Sequence, residues 1–175
     1  MDQYIREYGS RLFGLTLKLC KNREDAEDLY QETWIKAYRF LDRYNGEKEF
    51  GAWITAVCVN TYKDMLRRRK WLQLFPLFQT NEEKDLALSN AAATASGAAM
   101  GMAAWAAMDD QESIADVRNA VNALPEKYRL AVILHYFNDL DIKKTAETLG
   151  IPEGTVKYNL HKARALLERS LRTDG

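Results

Sequence analysis

The C-terminal segment DIKKTAETLGIPEGTVKYNLHKARALLERSL, which begins at Asp141, constrains the fold more than any other part of the chain. Asp141 can cap a first helix, and Gly150 stands at the turn after it, where a positive φ is often required. Ala146 is small enough to let two helices cross closely. The apolar residues that can fill the space between the helices are Leu149, Ile151 and Val156. Because these positions agree in their spacing, the segment predicts a helix-turn-helix with helices at about 142–149 and 153–171.

The second helix of a helix-turn-helix usually lies in the major groove of DNA, with its N-terminal half facing the base edges. Lysine can donate to guanine and asparagine can pair with adenine, whereas arginines further along the helix, here Arg164 and Arg169, more often contact phosphates. The predicted exposed contacts to DNA are Thr155, Lys157, Tyr158, Asn159, His161, Lys162 and Arg164. The alternative is a helical scaffold with a solvated basic face. No metal site is expected at His161, because His135 is the only other histidine.

The first seventy residues also have the pattern of helices. Apolar residues recur three and four positions apart over residues 4–19, which predicts an amphipathic helix. Acidic residues follow Asn22 and suit the positive end of a helix dipole, so a second helix is predicted to start there and to end near Leu41. Its apolar stripe is predicted to comprise Ala26, Leu29, Tyr30, Thr33, Trp34, Ala37 and Tyr38. A third helix is predicted over about 50–70, and its last turn carries four cations that suit the negative end of its dipole.

Composition changes after the third helix. Residues 72–112 contain a proline, an acidic stretch and an uncharged Ala-rich tract, so we predict a partly low-complexity linker there. Helical patterns resume at about 114–123 and 125–137. No segment sustains the alternation of a β-strand. The predicted fold class is therefore all-α, with two small helical domains at 1–71 and 113–175 joined by a flexible linker.

Charge is balanced over the whole chain but not along it. The 25 basic and 25 acidic residues give a formal net charge of zero, which is mild evidence against a strongly basic nucleic-acid binder. Cations cluster at 63–70 and 157–172, whereas acids cluster at 24–32 and 82–85. A chain with separate basic and acidic faces can bind DNA with one and a protein with the other.

Several classes of function find no support in the sequence. Cys20 and Cys58 lie in apolar helical patterns without a CxxC pair, so we expect two reduced core thiols. The chain shows no pairing of nucleophile and base, no phosphate loop and no metal-ligand spacing, so we expect neither an enzyme nor a bound cofactor. The N-terminus lacks the apolar core of a signal peptide, and the Ala-rich tract lacks the Leu, Ile and Phe density of a membrane span. We therefore expect a cytoplasmic protein without membrane insertion.

Three segments together resemble the extracytoplasmic-function sigma factors of bacterial RNA polymerase, which belong to the sigma-70 family. The segment EGTVKYNLHKARALL resembles their C-terminal domain, sigma region 4, and EDAEDLYQETWIKAYRFLDRY resembles sigma region 2. FGAWITAVCVNTYKDMLRRRK is similar to the stretch that melts and reads promoter DNA. The resemblance covers residues 1–71 and 113–172. It implies an alternative sigma factor that binds core RNA polymerase, directs it to promoters by reading −35 and −10 elements, and melts the −10 region.

The resemblance also implies partners and residue roles. The residues that match the segment docking on the clamp helices of the largest polymerase subunit are Asp28, Gln31, Glu32, Trp34, Ile35 and Lys36. The loop 42–49 matches one that captures a flipped-out base of the −10 element, with Tyr44 in its pocket, while Asn60 matches a position that contacts this base. The residues implied in −10 binding are Tyr44, Asn45, Gly46, Glu47, Lys48, Asn60, Lys63, Arg67 and Arg68. Arg69 is implied to hold the DNA backbone as well. Further implied partners are the flap of the second largest polymerase subunit and an anti-sigma factor.

Two other functions stay open from the sequence. A free-standing helix-turn-helix regulator would bind specific duplex DNA tightly without polymerase. A purely protein-binding helical module would show no salt-dependent DNA binding at all.

Overall fold

The computed structural model describes residues 1–47, 49–74 and 112–173, and every regular element in these ranges is helical. The predicted all-α fold class is confirmed. The chain divides into two compact units, an N-terminal one that contains residues 1–47 and 49–74 and a C-terminal one that contains 112–173. Within these ranges, no helix combines the length and the apolar run needed to cross a membrane.

Three long helices build the N-terminal unit, and a short 3-10 turn at Leu41–Arg43 follows the second of them. The helices are α1 at Asp2–Leu19, α2 at Arg23–Phe40 and α3 at Phe50–Leu74. The predicted start of α2 is confirmed, because the side-chain oxygen of Asn22 accepts the backbone N–H of Asp25 at 2.8 Å. This cap satisfies one of the backbone donors that the first turn of a helix leaves without a partner.

One apolar core holds the N-terminal unit together, with α2 packed against both α1 and α3. Its buried apolar side chains are Leu12, Leu15, Leu19, Ala26, Leu29, Trp34, Ala37, Phe50, Ile54, Cys58, Val59, Tyr62 and Met65. Burying one Leu or Ile side chain stabilises a fold by about 1.5–3 kcal/mol, so this core outweighs helix propensity. Both cysteines are free and buried, as expected. Burial raises the pKa of the Cys58 thiol to about 12, which keeps it protonated.

Two predicted details of this unit are wrong. Tyr38 is predicted on the apolar stripe of α2, but its side chain is 70% exposed, because Ala37 takes the inward position and the next residue lies about 100° further round the helix. α3 is predicted to end at Lys70, but it continues to Leu74. The four cations therefore precede the last turn, which contains no basic residue. Their predicted pairing with the helix dipole does not occur.

The C-terminal unit contains four α-helices within the described range 112–173. They are α4 at Glu112–Ala123, α5 at Glu126–Val132, α6 at Ile142–Leu149 and α7 at Glu153–Thr173. α7 packs against the other three. Arg129 of α5 is fully buried in this unit, and its guanidinium donates to the Glu126 carboxylate at 3.1 and 3.3 Å. Such a pairing offsets part of the several kcal/mol that burying a charge costs.

The turn between α6 and α7 has the predicted geometry. The Asp141 carboxylate accepts the backbone N–H of Lys144 at 2.7 Å and caps α6. Gly150 adopts φ +67°, a left-handed conformation that glycine tolerates without strain. The N–H of Ile151 then donates to the carbonyl of Ala146 at 3.1 Å, which closes the C-terminus of α6. The predicted helix-turn-helix is confirmed in its two helices, its cap and its turn.

A π-helix at Ile133–Phe137 departs from the plain helix that the sequence predicts for this stretch. After it the chain turns back, with Asp139 at φ +53° and the N–H of Leu140 donating to the carbonyl of Leu134 at 3.1 Å. The carbonyl of Leu140 also lies 2.7 Å from Nδ1 of His135. A π-helix bonds residue i to residue i+5, and a segment of five residues is too short for the changed spacing to be seen in the sequence.

Candidate nucleic-acid interface

α7 presents one face to the core of the C-terminal unit and the opposite face to solvent. Val156, Leu160 and Ala163 are buried. Six of the seven predicted DNA contacts are exposed, namely Thr155, Lys157, Tyr158, His161, Lys162 and Arg164. The exposed face thus carries three cations and two rings that can donate to base edges or stack. This is the composition expected of a recognition helix.

Asn159 is the exception, and its predicted exposure is wrong. Its side chain is only 5% exposed. It lies three residues after Val156 and four before Ala163, which places it on the inward face of α7. Because its amide does not face solvent in this arrangement, the sequence-based pairing of Asn159 with adenine loses its geometric basis.

Two of the exposed α7 side chains are held by aromatic neighbours. The Lys162 ammonium lies 5.7 Å from the centre of the Tyr158 ring, close enough for a cation–π attraction. The Arg164 guanidinium donates to the Tyr136 hydroxyl at 3.0 Å, and this hydrogen bond raises the pKa of Arg164. No local sequence pattern predicts this role of Tyr136, because the contact joins residues 28 positions apart.

The predicted −10 loop follows the 3-10 turn and leads into α3. Tyr44 is half-buried, with its ring 5.6 Å from the Phe50 ring and 5.1 Å from the Trp53 ring. The three residues after Tyr44 are exposed: Asn45, Gly46 and Glu47. Gly46 has φ +74°, and the side-chain oxygen of Asn45 accepts the N–H of Glu47 at 3.2 Å. Lys48, also predicted in this loop, lies outside the described residues. The loop therefore offers one anchored ring beside an exposed polar turn.

The polar face of α3 carries the other predicted −10 contacts. Asn60, Arg67 and Arg68 are exposed and Lys63 is partly exposed. Burial lowers the pKa of Lys63, and the neighbouring Arg67 cation acts in the same direction. The cations of this face are thus accessible to a DNA backbone, which is the first requirement for phosphate contact.

Asp64 links this face of α3 to α2. It accepts a hydrogen bond from Arg67 of its own helix, and its Oδ2 lies 3.2 Å from Nζ of Lys36 on α2. Lys36 also lies 3.4 Å from Oε1 of Glu32. Burial alone would raise the pKa of Asp64, but the hydrogen bonds from Arg67 and Lys36 bring it below its usual value. No local sequence pattern predicts this cross-helix contact, because Lys36 and Asp64 are 28 positions apart.

Arg69 is only partly exposed and has a partner within its own unit. Its guanidinium holds the Asp25 carboxylate with two hydrogen bonds, one of them from Nη1 to Oδ2 at 2.9 Å. The Asp25 side chain is only 11% exposed and also accepts from Nδ2 of Asn22 at 2.8 Å. The hydrogen bond to Asp25 raises the pKa of Arg69. The expectation that Arg69 holds the DNA backbone is not supported by this position.

The outer face of α2 contains most of the residues predicted to bind polymerase. Asp28, Gln31 and Ile35 are exposed at helical spacing, and Ile35 is 52% exposed. The neighbouring Glu32 and Lys36 are partly exposed. Tyr38 lies on the same face at the next helical step, although its apolar ring predicts a place in the core. Ile35 and Tyr38 are exposed apolar side chains bordered by polar ones, an arrangement found at protein-binding surfaces.

Trp34 does not belong to that surface. Its side chain is 9% exposed and its ring meets the Tyr30 ring edge-on at 6.2 Å, so it is a packing residue of the N-terminal unit. Because Trp34 is buried within its own unit, its predicted contact with polymerase loses its geometric basis.

Metal binding has no visible site in the described parts of the chain, where no three His, Cys, Asp or Glu side chains are grouped to hold an ion.

Comparisons with known proteins match both units of the chain. The family model described as Sigma-70 region 2 matches residues 4–72, and that described as Sigma-70, region 4 matches residues 114–167. The ECF RNA polymerase sigma factor SigE of Mycolicibacterium smegmatis is 28% identical over 95% of this chain, which spans 59% of that relative. The ECF RNA polymerase sigma factor SigW of Bacillus subtilis is 27% identical over 94% of this chain and 85% of its own length.

Solved structures show the same fold. The sigma factor RpoE, determined with the anti-sigma factor NepR from Bartonella quintana, has a TM-score of 0.69 at 20% identity and covers 99% of this chain and 98% of its own. CnrH, determined with the cytosolic domain of CnrY, has a TM-score of 0.64 at 18% identity over 99% of this chain and 88% of its own. With two family regions in order and these relatives, the chain belongs to the sigma-70 family and, within it, to the extracytoplasmic-function sigma factors, which are alternative transcription initiation factors.

Proposed function

We propose that this chain binds core RNA polymerase through the outer face of α2 and reads promoters with two separate surfaces. The exposed face of α7 reads duplex DNA at the −35 element. The loop 42–49 and the polar face of α3 bind and open the −10 region. The observation that carries this proposal is the two-sided α7, with an apolar stripe facing its own unit and a cationic, aromatic face left to solvent.

For the −35 element, the geometry favours side chains near the start of α7. Thr155, Lys157 and Tyr158 are exposed in the first two turns, the part of a recognition helix that meets base edges. His161 and Lys162 follow one turn later. Arg164, held by Tyr136, and Arg169 are placed to contact phosphates and so to fix the register of the helix in the groove.

For the −10 element, the anchored Tyr44 ring and the exposed Asn60 amide supply a stacking partner and a hydrogen-bonding partner for one extruded base. Extruding a base costs a few kcal/mol of stacking and pairing. Stacking on an aromatic ring returns about 1–3 kcal/mol per base. Lys63, Arg67 and Arg68 supply further attraction to the backbone of the separated strand.

The proposed docking surface for polymerase consists of Asp28, Gln31, Glu32, Ile35, Lys36 and Tyr38. Its exposed apolar members can bury surface against a partner, while its charged members set the orientation. A second contact, between the C-terminal unit and the flap of the second largest polymerase subunit, completes the proposal.

We propose that residues 1–71 and 113–175 form the two functional domains and that 72–112 form the linker, of which 75–111 lie outside the described residues. The family matches over 4–72 and 114–167 support these bounds.

Regulation and location belong to the same proposal. RpoE and CnrH were each determined with a partner, and for RpoE that partner is an anti-sigma factor. We propose that an anti-sigma factor also binds this chain and that the chain acts in the cytoplasm as a transcription regulator, without catalysing a reaction itself.

The experiment that tests the function is run-off transcription with bacterial core RNA polymerase on a library of promoters with randomised upstream sequence. The intact chain is expected to produce start sites that core polymerase alone does not produce. As a polymerase-docking control, Ile35→Glu should abolish these starts, while Ile5→Glu on α1, another exposed isoleucine, should not. Tight binding to one duplex sequence without any directed start would instead favour the free-standing regulator.

A further inference from the structure

Five aromatic rings meet where α1, the −10 loop and the start of α3 come together. Tyr4 of α1 stacks on Phe50 with ring centres 3.9 Å apart and planes 12° apart. Tyr8, one turn later on α1, lies 5.3 Å from the same ring. Tyr44 of the loop meets Phe50 edge-on, and Trp53 lies against both Tyr44 and Phe50. Phe50 is therefore a ring that links α1 to the loop.

The position of Tyr44 depends on this cluster. Tyr44 contacts the rings of Phe50 and Trp53, both in the first turn of α3. Phe50 is 4% exposed, and Tyr4 and Tyr8 cover it from α1. Removing either tyrosine opens a gap behind Phe50, and the ring that holds Tyr44 edge-on is then free to shift.

Gly51 gives independent support for a tight fit between α1 and the start of α3. A methyl group at this position would lie 2.9 Å from Cε1 of Tyr8, closer than side chains tolerate. Burial raises the pKa of Tyr8, and the carboxylates of Glu7 and Glu49 raise it further, so its hydroxyl stays neutral. The backbone at Gly51 and the Tyr8 ring therefore fix one another.

We propose that Tyr4 and Tyr8 are positioning residues for −10 recognition, which hold Phe50 and thereby fix the angle of the Tyr44 ring against an extruded base. Both act through Phe50, the ring that each of them contacts. A pocket discriminates between bases only when its contacts are held rigidly in place by neighbouring residues. The proposal rests on the proposed function, because it assigns a supporting role to α1 in the same −10 site.

The test measures base discrimination rather than total activity. The strongest promoter from the library is made in four versions that differ at the −10 position where the wild type discriminates most. The run-off yield on the best base divided by the yield on the worst gives one ratio per variant. A variant that is merely less folded loses yield equally on all four templates, so its ratio stays unchanged.

Tyr4→Ala and Tyr8→Ala are expected to lower the ratio by about three- to tenfold, the range expected when one aromatic pair is lost. Tyr4→Phe keeps the ring and should keep the wild-type ratio. Phe13→Ala is the matched control, because Phe13 is also on α1 and packs edge-on to Tyr30 at 5.5 Å, away from the loop. It should lower yield without changing the ratio.

Gly51→Ala provides a second route to the same effect. The added methyl displaces Tyr8, so the single variant should lose discrimination as Tyr8→Ala does, and the double variant should lose no more than Tyr8→Ala alone. Additive losses in the double variant would contradict the proposed contact.

Amide hydrogen exchange provides a readout that needs no DNA. Tyr4→Ala should speed exchange at 44–52 and leave α2 unchanged. The proposal is overturned if exchange in that range matches the wild type, or if Tyr4→Ala and Tyr8→Ala keep the wild-type ratio. The two proposals can fail separately. If the wild-type chain directs no transcription starts but Tyr4→Ala still speeds exchange at 44–52, the proposed function is refuted and the positioning contact is retained.

Discussion

The contact between Arg69 and Asp25 is predicted to hold the basic end of α3 against the start of α2. Asp25 is 11% exposed in its side chain and Arg69 is 41% exposed. A hydrogen-bonded charge pair contributes about 1.5–3 kcal/mol, and removing one partner of a fully buried pair costs about 3–5 kcal/mol. Because Arg69 remains partly in water, we discount the larger figure. Asp25→Ala is expected to lower the free energy of unfolding of the N-terminal unit by about 2 kcal/mol.

Tryptophan fluorescence can measure this unit within the intact chain. Three of the four tryptophans, Trp34, Trp53 and Trp71, belong to α2 and α3, and the fourth is replaced in all variants as Trp105→Phe. A small unit unfolds in urea with a slope of about 1 kcal/mol per M, so the midpoint for Asp25→Ala should fall by about 2 M.

A double-mutant cycle isolates the ion pair itself. Asp25→Ala and Arg69→Ala should couple by about 1–2 kcal/mol, since the double variant loses the pair only once. Arg68→Ala is the matched control, because this exposed neighbour is expected to change stability by no more than about 0.5 kcal/mol. If the coupling is near zero, or if Asp25→Ala behaves like Arg68→Ala, the assignment of Arg69 as a structural cation fails.

Four further outcomes follow from other parts of the chain. Asn60→Ala should slow formation of the open complex while binding to core polymerase stays intact. Promoter melting can be followed with a fluorescent base analogue in the −10 region, and unchanged melting would show that Asn60 does not contribute to the −10 site. Asn159→Ala should lower the thermal stability of the C-terminal unit without changing the ranking of −35 sequences, because its side chain is buried; a changed ranking would restore it as a base contact. Gly150→Ala should destabilise the same unit by about 1–2 kcal/mol through its left-handed backbone, since beyond its two chain neighbours no heavy atom lies within 4 Å of the added methyl. A melting temperature equal to that of the wild type would refute this. Because folding lowers the pKa of Asp64, its carboxylate stabilises the fold at pH values above its pKa in the unfolded chain. This stabilisation is lost as the pH falls through the pKa of Asp64 in the folded protein. The difference in urea midpoint between wild type and Asp64→Asn should therefore shrink on acidification.

Local patterns in the sequence were sufficient to predict the helix-turn-helix. The caps at Asn22 and Asp141 and the left-handed Gly150 depend on residues within three or four positions, so residue type and spacing predict them. The same holds for the apolar faces of α1 and α6, whose buried residues recur at helical spacing.

Contacts between residues that are distant in the sequence could not be predicted from local spacing and residue type. Arg69 and Asp25 are 44 positions apart, and nothing in the run of cations distinguishes the one that turns inward. Residue type also failed to predict burial at Asn159 and Tyr38. A polar side chain can lie on the inward face of a helix, and an aromatic one on the outward face. The π-helix at Ile133–Phe137 covers only five residues, too few for its different spacing to be recognised in the apolar pattern.

The central claim is that two separate surfaces read two promoter elements, and loss of one base contact tests it most directly. Lys157→Ala and Lys162→Ala are compared with wild type in run-off transcription on promoters that carry each base at every −35 and −10 position. If either lysine reads a base edge, its variant should lose about 1–3 kcal/mol of preference at one −35 position and keep the −10 preferences unchanged. An equal loss on all sequences would assign that lysine to phosphate contact. Loss of −10 preference in the α7 variants, or a wild type with no preference in either element, would contradict the account.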